Sequence, residues 1–107
     1  MRKTAAYWID KLHLTAHPEG GHFKEVYKSD ETIPASALPK RYDSDRSFIT
    51  SIYYLLERGQ KSKLHQLKSD ETWVFIDGSP VNIQLFKSNN EYEKIVLGRE
   101  IHEAQTP

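Results

Sequence analysis

GQKSKLHQLKSDETWVFIDG, residues 59–78, decides how the rest of the chain is read. One histidine, His65, and one glutamate, Glu71, stand in a run supplied with Leu, Trp, Val, Phe and Ile, and a glycine closes each end. Aromatic and β-branched residues favour extended backbone, and glycines at the ends let the chain turn. Alternation predicts strands over 62–67 and 71–77. His65 and Leu67 then share one face, and Glu71, Trp73 and Phe75 share one face.

Working outward, 81–86 and 92–97 predict two further strands, set off by Asp77-Gly78-Ser79-Pro80 and Ser88-Asn89-Asn90. Upstream, SFITSIYYLLE (47–57) is β-branched and aromatic on both faces, which predicts a central, doubly covered strand. HFKEVYK (22–28) alternates so that Phe23, Glu25 and Tyr27 share one face while His22, Lys24, Val26 and Lys28 share the other. Between these, 29–46 holds two prolines, several Asp and Ser and no apolar period, so it reads as a long surface loop anchored by Leu38. Thr4 to Leu14 predicts a short helix capped by Thr4, with Ala5, Trp8 and Leu12 on its apolar stripe and Tyr7 and Ile9 beside it. His17-Pro18-Glu19-Gly20-Gly21 must end it. Short strands with frequent turns indicate an all-β sandwich or barrel.

A chain of 107 residues supports one domain, 1–107, because a second core would have too little surface to bury. Fifteen basic and fifteen acidic side chains cancel, so no basic field draws in a phosphate backbone, and nucleic acid is not an expected partner. Cysteine is absent, which removes disulfides, thiolate nucleophiles and sulfur-ligated zinc; any metal has to take nitrogen and oxygen ligands. Apolar runs fall far short of the ~18 residues of a membrane span, so no membrane partner is expected and the cytoplasm is the expected compartment.

Counted with its gaps, the opening stretch is Gly59, five residues, His65, one residue, Leu67, three residues, Glu71, six residues, Gly78. This resembles the first cupin motif, in which glycine, His-x-His, glutamate and glycine follow one another at such spacings and the histidines and glutamate commonly bind a metal. Leu67 stands at the second histidine position. HPEGGHFKEVYKS (17–29), RSFITSIYYLL (46–56) and LHQLKSDETWVFIDGSPVNIQL (64–85) narrow the match. They resemble an uncharacterised cupin-like family of bacteria, plants and yeast, a domain of unknown function that pairs His-x-Leu with Ser-Asp-Glu. The resemblance spans roughly residues 5–105. It implies a small β-barrel of jelly-roll type with a short N-terminal helix, usually homodimeric, with a pocket like those of deoxysugar epimerases and seed storage globulins. The family continues into a second motif, whereas this chain stops at Pro107. Either the barrel is a shortened version, or strands of a partner chain complete it, since an open sheet leaves unpaired edges and an exposed apolar face.

A catalytic zinc or iron site needs at least three protein ligands, and leucine cannot coordinate. His22 or His17 would have to supply the missing nitrogen, though no spacing requires it. An acid/base site asks less, because one histidine oriented by a carboxylate moves protons near neutral pH. The resemblance to deoxysugar epimerases then implies His65 as base, Glu71 or Glu25 as its carboxylate, and Tyr27, with Tyr53 and Tyr54 as alternatives, returning a proton from the opposite side. Phe23, Tyr54, Trp73 and Phe75 together with Glu25 are candidates to line the cavity, and Glu19 to sit at its mouth. The expectation is a small polar ligand, a sugar or sugar nucleotide, bound without metal or other cofactor. Two alternatives stay open. One is a non-catalytic binding or structural module in which His65 and Glu71 are satisfied scaffold residues. The other is a metal-dependent oxygenase or isomerase. His13 and His102 read as surface residues.

Overall fold

The structure is a computed structural model that describes residues 3–107. The chain divides into two compact units, Met1–Ser69 and Asp70–Pro107. Among the described residues it is mostly antiparallel β with one short N-terminal helix, and the ladders fall into three separate sheets.

In the first unit, helix α1 spans Ala5–Leu12. Thr4 opens it as expected: its Oγ1 accepts from the Tyr7 N–H at 3.1 Å, satisfying one of the donors that the first helical turn leaves unpaired. Thr4→Ala is therefore expected to cost about 1 kcal/mol, read from denaturation midpoints. His13, in the left-handed region (φ 56, ψ 46), closes the helix. The Leu14 N–H then returns to the Ile9 carbonyl at 3.0 Å, and Leu14 is buried.

Strand β1 (Thr15–Ala16) pairs with β2 (His22–Lys28), and β2 pairs on its other side with a later strand, Thr50–Leu55. The segment between them is not a featureless loop. Strands β3 (Thr32–Ile33) and β4 (Arg46–Ser47) pair antiparallel inside it, a 3-10 turn covers Ala35–Ala37, and Leu38 is half-buried, as an anchor should be. The later strand is β5 (Thr50–Leu55). The sheet order β1-β2-β5 puts β2 in the middle and β5 at the edge, which corrects the expectation of a central, doubly covered strand over 47–57. Phe48, Ile49 and Ile52 are exposed, so the apolar run that suggested two covered faces has lost its cover.

The predicted strands over 62–67 and 71–77 form no ladder. Strand propensity expresses fit to a pleated, half-buried surface, and without a paired neighbour it does not make a strand. In the second unit β6 (Val81–Phe86) and β7 (Tyr92–Leu97) pair in full register from Val81↔Leu97 to Phe86↔Tyr92, matching the strands expected there. Their turn is closed by Lys87 N–H to Glu91 O at 2.8 Å, with Asn90 at φ 64. His102 lies exposed in a 3-10 turn at Ile101–Glu103, beyond which Thr106 bridges to Leu97 and ties the tail back.

Candidate functional site

The HPEGG turn is held from within and from outside. His17 N–H donates to Gly21 O at 2.9 Å, Gly20 N–H returns to His17 O at 3.0 Å, and Glu19 N–H donates to His17 Nδ1 at 2.9 Å. The Tyr54 hydroxyl donates to Gly20 O. The Glu19 carbonyl then accepts from Lys63 N–H at 2.8 Å, which fixes the start of the segment carrying His65. Glu19 thus contributes its backbone, with its side chain half-buried.

The His65 Nδ1 lies 2.7 Å from the Lys63 carbonyl. A carbonyl only accepts, so Nδ1 carries the proton and, in the neutral ring, Nε2 carries the lone pair. That leaves Nε2 as the atom able to take a proton or bind a metal. His65 is exposed, and Leu67 beside it is 45% exposed. Glu71 is exposed and belongs to the second unit, across the division at Ser69–Asp70. Among the described residues no group of three His, Asp or Glu side chains is placed to hold a metal. Of the two other candidate nitrogens, His17 Nδ1 is taken by Glu19, and His22 Nδ1 is buried with no hydrogen-bond partner.

Strand β2 departs from simple alternation. The register runs His22↔Leu55, Phe23↔Tyr54, Lys24↔Tyr53 and Glu25↔Ile52, then skips Val26 and resumes at Tyr27↔Ser51. One extra residue reverses every side chain beyond it. Phe23 and Glu25 therefore share a face with Ile52 and Tyr54, while Tyr27 moves to the face of Lys24 and Tyr53, a correction to the expected Phe23-Glu25-Tyr27 set. On the first face the rings of Phe23 and Tyr54 stand 4.8 and 5.0 Å from the His17 ring. Tyr27 is 55% exposed. An open cleft of about 320 Å³ is lined by Leu12, His13, Lys24, Glu25, Val26 and Tyr53 with Lys11; of the expected site residues it takes in Glu25 and the alternative tyrosine, Tyr53, and not His65.

In the second unit Phe75 is half-buried and Trp73 is 36% exposed. The Arg99 guanidinium sits 5.7 Å from the centre of the Phe75 ring and donates to Ile76 O at 3.1 Å, so one face of Phe75 is already engaged.

Sequence reasoning missed Tyr42. Its hydroxyl donates to Lys68 O at 2.6 Å and contacts the Ser69 hydroxyl, and its pKa is lowered, first by the Ser69 hydrogen bond, which outweighs an opposing desolvation, and then by the hydrogen bond and charge of Arg41 and the charge of Arg46. The signal was present in KRYDSDR (40–46), a tyrosine among basic residues, but its partners lie 26 and 27 residues further on.

The family profile described as Cupin superfamily (DUF985) matches residues 6–107. A solved structure, a hypothetical protein from Leishmania major, is similar at 29% identity with a TM-score of 0.81, covering 96% of this chain and 61% of that one. The chain thus spans less than two thirds of that protein's length. No curated protein matches.

Proposed function

We propose that this chain, which belongs to the cupin superfamily in the family of domains of unknown function DUF985, binds a small polar ligand, a sugar or sugar nucleotide, beside His65. We further infer that His65 acts as a metal-free base in an epimerase- or isomerase-like reaction. The observation that carries the reading is the hydrogen bond from His65 Nδ1 to the Lys63 carbonyl, which presents Nε2 as a proton acceptor. Nε2 takes the proton from the carbon next to a sugar carbonyl, the C–H pair moves into the carbonyl to give an enolate, and a tyrosine hydroxyl returns a proton to that carbon from the opposite side. Tyr27 is the exposed candidate for that second role. A second copy of the chain, pairing as a homodimer, would cover Val26 and Ile52 and the free edge of β5.

The alternative of a non-catalytic binding module is favoured by Tyr54, whose hydroxyl is spent on the Gly20 carbonyl and so on scaffold. A metal-dependent reaction would use the same Nε2 as ligand and require others from elsewhere. Incubating the full chain in deuterium oxide with a panel of free sugars and nucleoside-diphosphate sugars separates these readings. Incorporation of solvent deuterium at one carbon, seen by proton NMR and unaffected by chelator, is the expected result. Thermal stabilisation by a sugar with no incorporation supports the binding module, and incorporation abolished by chelator supports the metal enzyme.

A further inference from the structure

The loop ending in β4 gathers charge in a way that the reading of His65 does not use. The Arg41 and Arg46 guanidinium carbons lie 4.8 and 5.2 Å from the centre of the Tyr42 ring, so the two cations are no further apart than the sum of those short distances. Arg41 Nε donates to Lys68 O at 2.8 Å, which fixes the group beside the Tyr42 hydroxyl. Arg46 Nε is buried and has no hydrogen-bond partner. The neighbouring carboxylates make their direct contacts elsewhere: Asp43 pairs with Lys68 at 3.3 Å, with the Arg46 charge acting on it more weakly, and Asp45 accepts from the Ala35 N–H at 2.9 Å. Among the described residues neither arginine enters an ion pair. Two guanidinium groups beside one ring repel one another, the Asp43 carboxylate offsets that only in part because it also serves Lys68, and an oxyanion between the two removes the rest while accepting from both planar forks.

We propose that Arg41 and Arg46, held around the Tyr42 ring, form a binding site for the phosphate group of a small soluble ligand. Phosphate suits the pair better than a carboxylate, because its three peripheral oxygens and higher charge serve two forks at once. The Tyr42 hydroxyl donates to Lys68 O and the Ser69 hydroxyl to Tyr42, so both hydroxyls hold the loop while the arginines hold the anion. The site stands independently of the chemistry assigned to His65.

The test uses the full chain with inorganic phosphate, and with acetate and chloride at matched ionic strength. Phosphate is expected to raise Tm in a saturable way, with acetate and chloride weaker. Arg41→Gln, chosen because Arg41 is exposed and outside the strands, is expected to weaken apparent phosphate affinity about tenfold, the loss of one charge-assisted contact. A second reading needs no unfolding. The tyrosinate absorbance of wild type minus Tyr42→Phe isolates Tyr42, whose lowered pKa is expected to rise when phosphate offsets the arginine charges, and not to respond in Arg41→Gln. Equal stabilisation by all three anions, an unchanged phosphate response in Arg41→Gln, or a Tyr42 titration indifferent to phosphate would each overturn the proposal. Stronger stabilisation by acetate than by phosphate would overturn it too, assigning the pair to a carboxylate.

Discussion

Gly21→Ala is expected to destabilise the first unit by about 3 kcal/mol, read as a fall in denaturation midpoint at unchanged slope. Gly21 holds φ 77, where a side chain costs about 1–3 kcal/mol of backbone strain. Space adds to this, since an added Cβ would lie 2.6 Å from the Leu55 carbonyl oxygen and 2.8 Å from both Leu56 Cδ2 and Tyr54 Cε1. The carbonyl belongs to β5 and cannot swing away without breaking its pairing with His22. Gly59 provides the control: its φ is 82, yet nothing lies within 4 Å of an added Cβ, so Gly59→Ala bears the backbone cost alone. The difference between the two variants measures the close approach of the turn to β5. Equal losses would mean that this approach contributes nothing. Because Gly21 O also accepts the His17 N–H, the larger loss should loosen the whole HPEGG turn and, through Glu19 and Lys63, the backbone beneath His65.

Elements whose partners are close in sequence were legible. The hairpin of β6 and β7 has its turn residues and both strands within 17 residues, 81–97, and α1 carries its own cap, so local pattern was enough. The misreadings share a cause, which is pairing with something distant. HFKEVYK alternates in composition, yet the bulge at Val26 arises only from its register against β5, and it reverses Tyr27. The residues of 62–67 and 71–77 have strand-forming character without a ladder to join. Strands β3 and β4, two residues each, are too short to leave a period, and they pair across the 3-10 turn between them.

The site divides the same way. The spacing of Gly59, His65, Glu71 and Gly78 carried the resemblance to the first cupin motif, the stretches 17–29, 46–56 and 64–85 narrowed it to the family, and the family profile agrees over 6–107. Spacing does not say which ring nitrogen of His65 is engaged, because that depends on the backbone angles at Lys63 through Gln66. The Tyr42 cluster joins the loop before β4 to Lys68 and Ser69, and no local pattern in either segment announces the other. Glu71 shows the opposite limit: six residues from His65 in sequence, it belongs to the other unit. An orienting carboxylate for His65 therefore has to be sought by substitution, with Glu71→Gln and Glu25→Gln compared for their effect on rate.

His65→Asn is expected to lower any isomerisation rate by about 10²–10⁴ while leaving the fold intact. The asparagine amide nitrogen stands where Nδ1 stood and can keep the donation to the Lys63 carbonyl, but it offers no basic atom in place of Nε2. His65→Gln reverses the trade, placing a polar group near the Nε2 position and giving up the bond to Lys63. If His65 serves only as a scaffold, the asparagine variant should match wild type in stability and in every ligand response, and the glutamine variant should be the damaged one. If it is the base, both lose turnover, and the asparagine variant still binds the sugar ligand with wild-type stabilisation. A metal at Nε2 gives a third pattern, in which both variants lose bound metal and ligand response together. Binding retained with turnover lost is thus the result that ties the chemistry to Nε2, because a purely structural histidine cannot produce it.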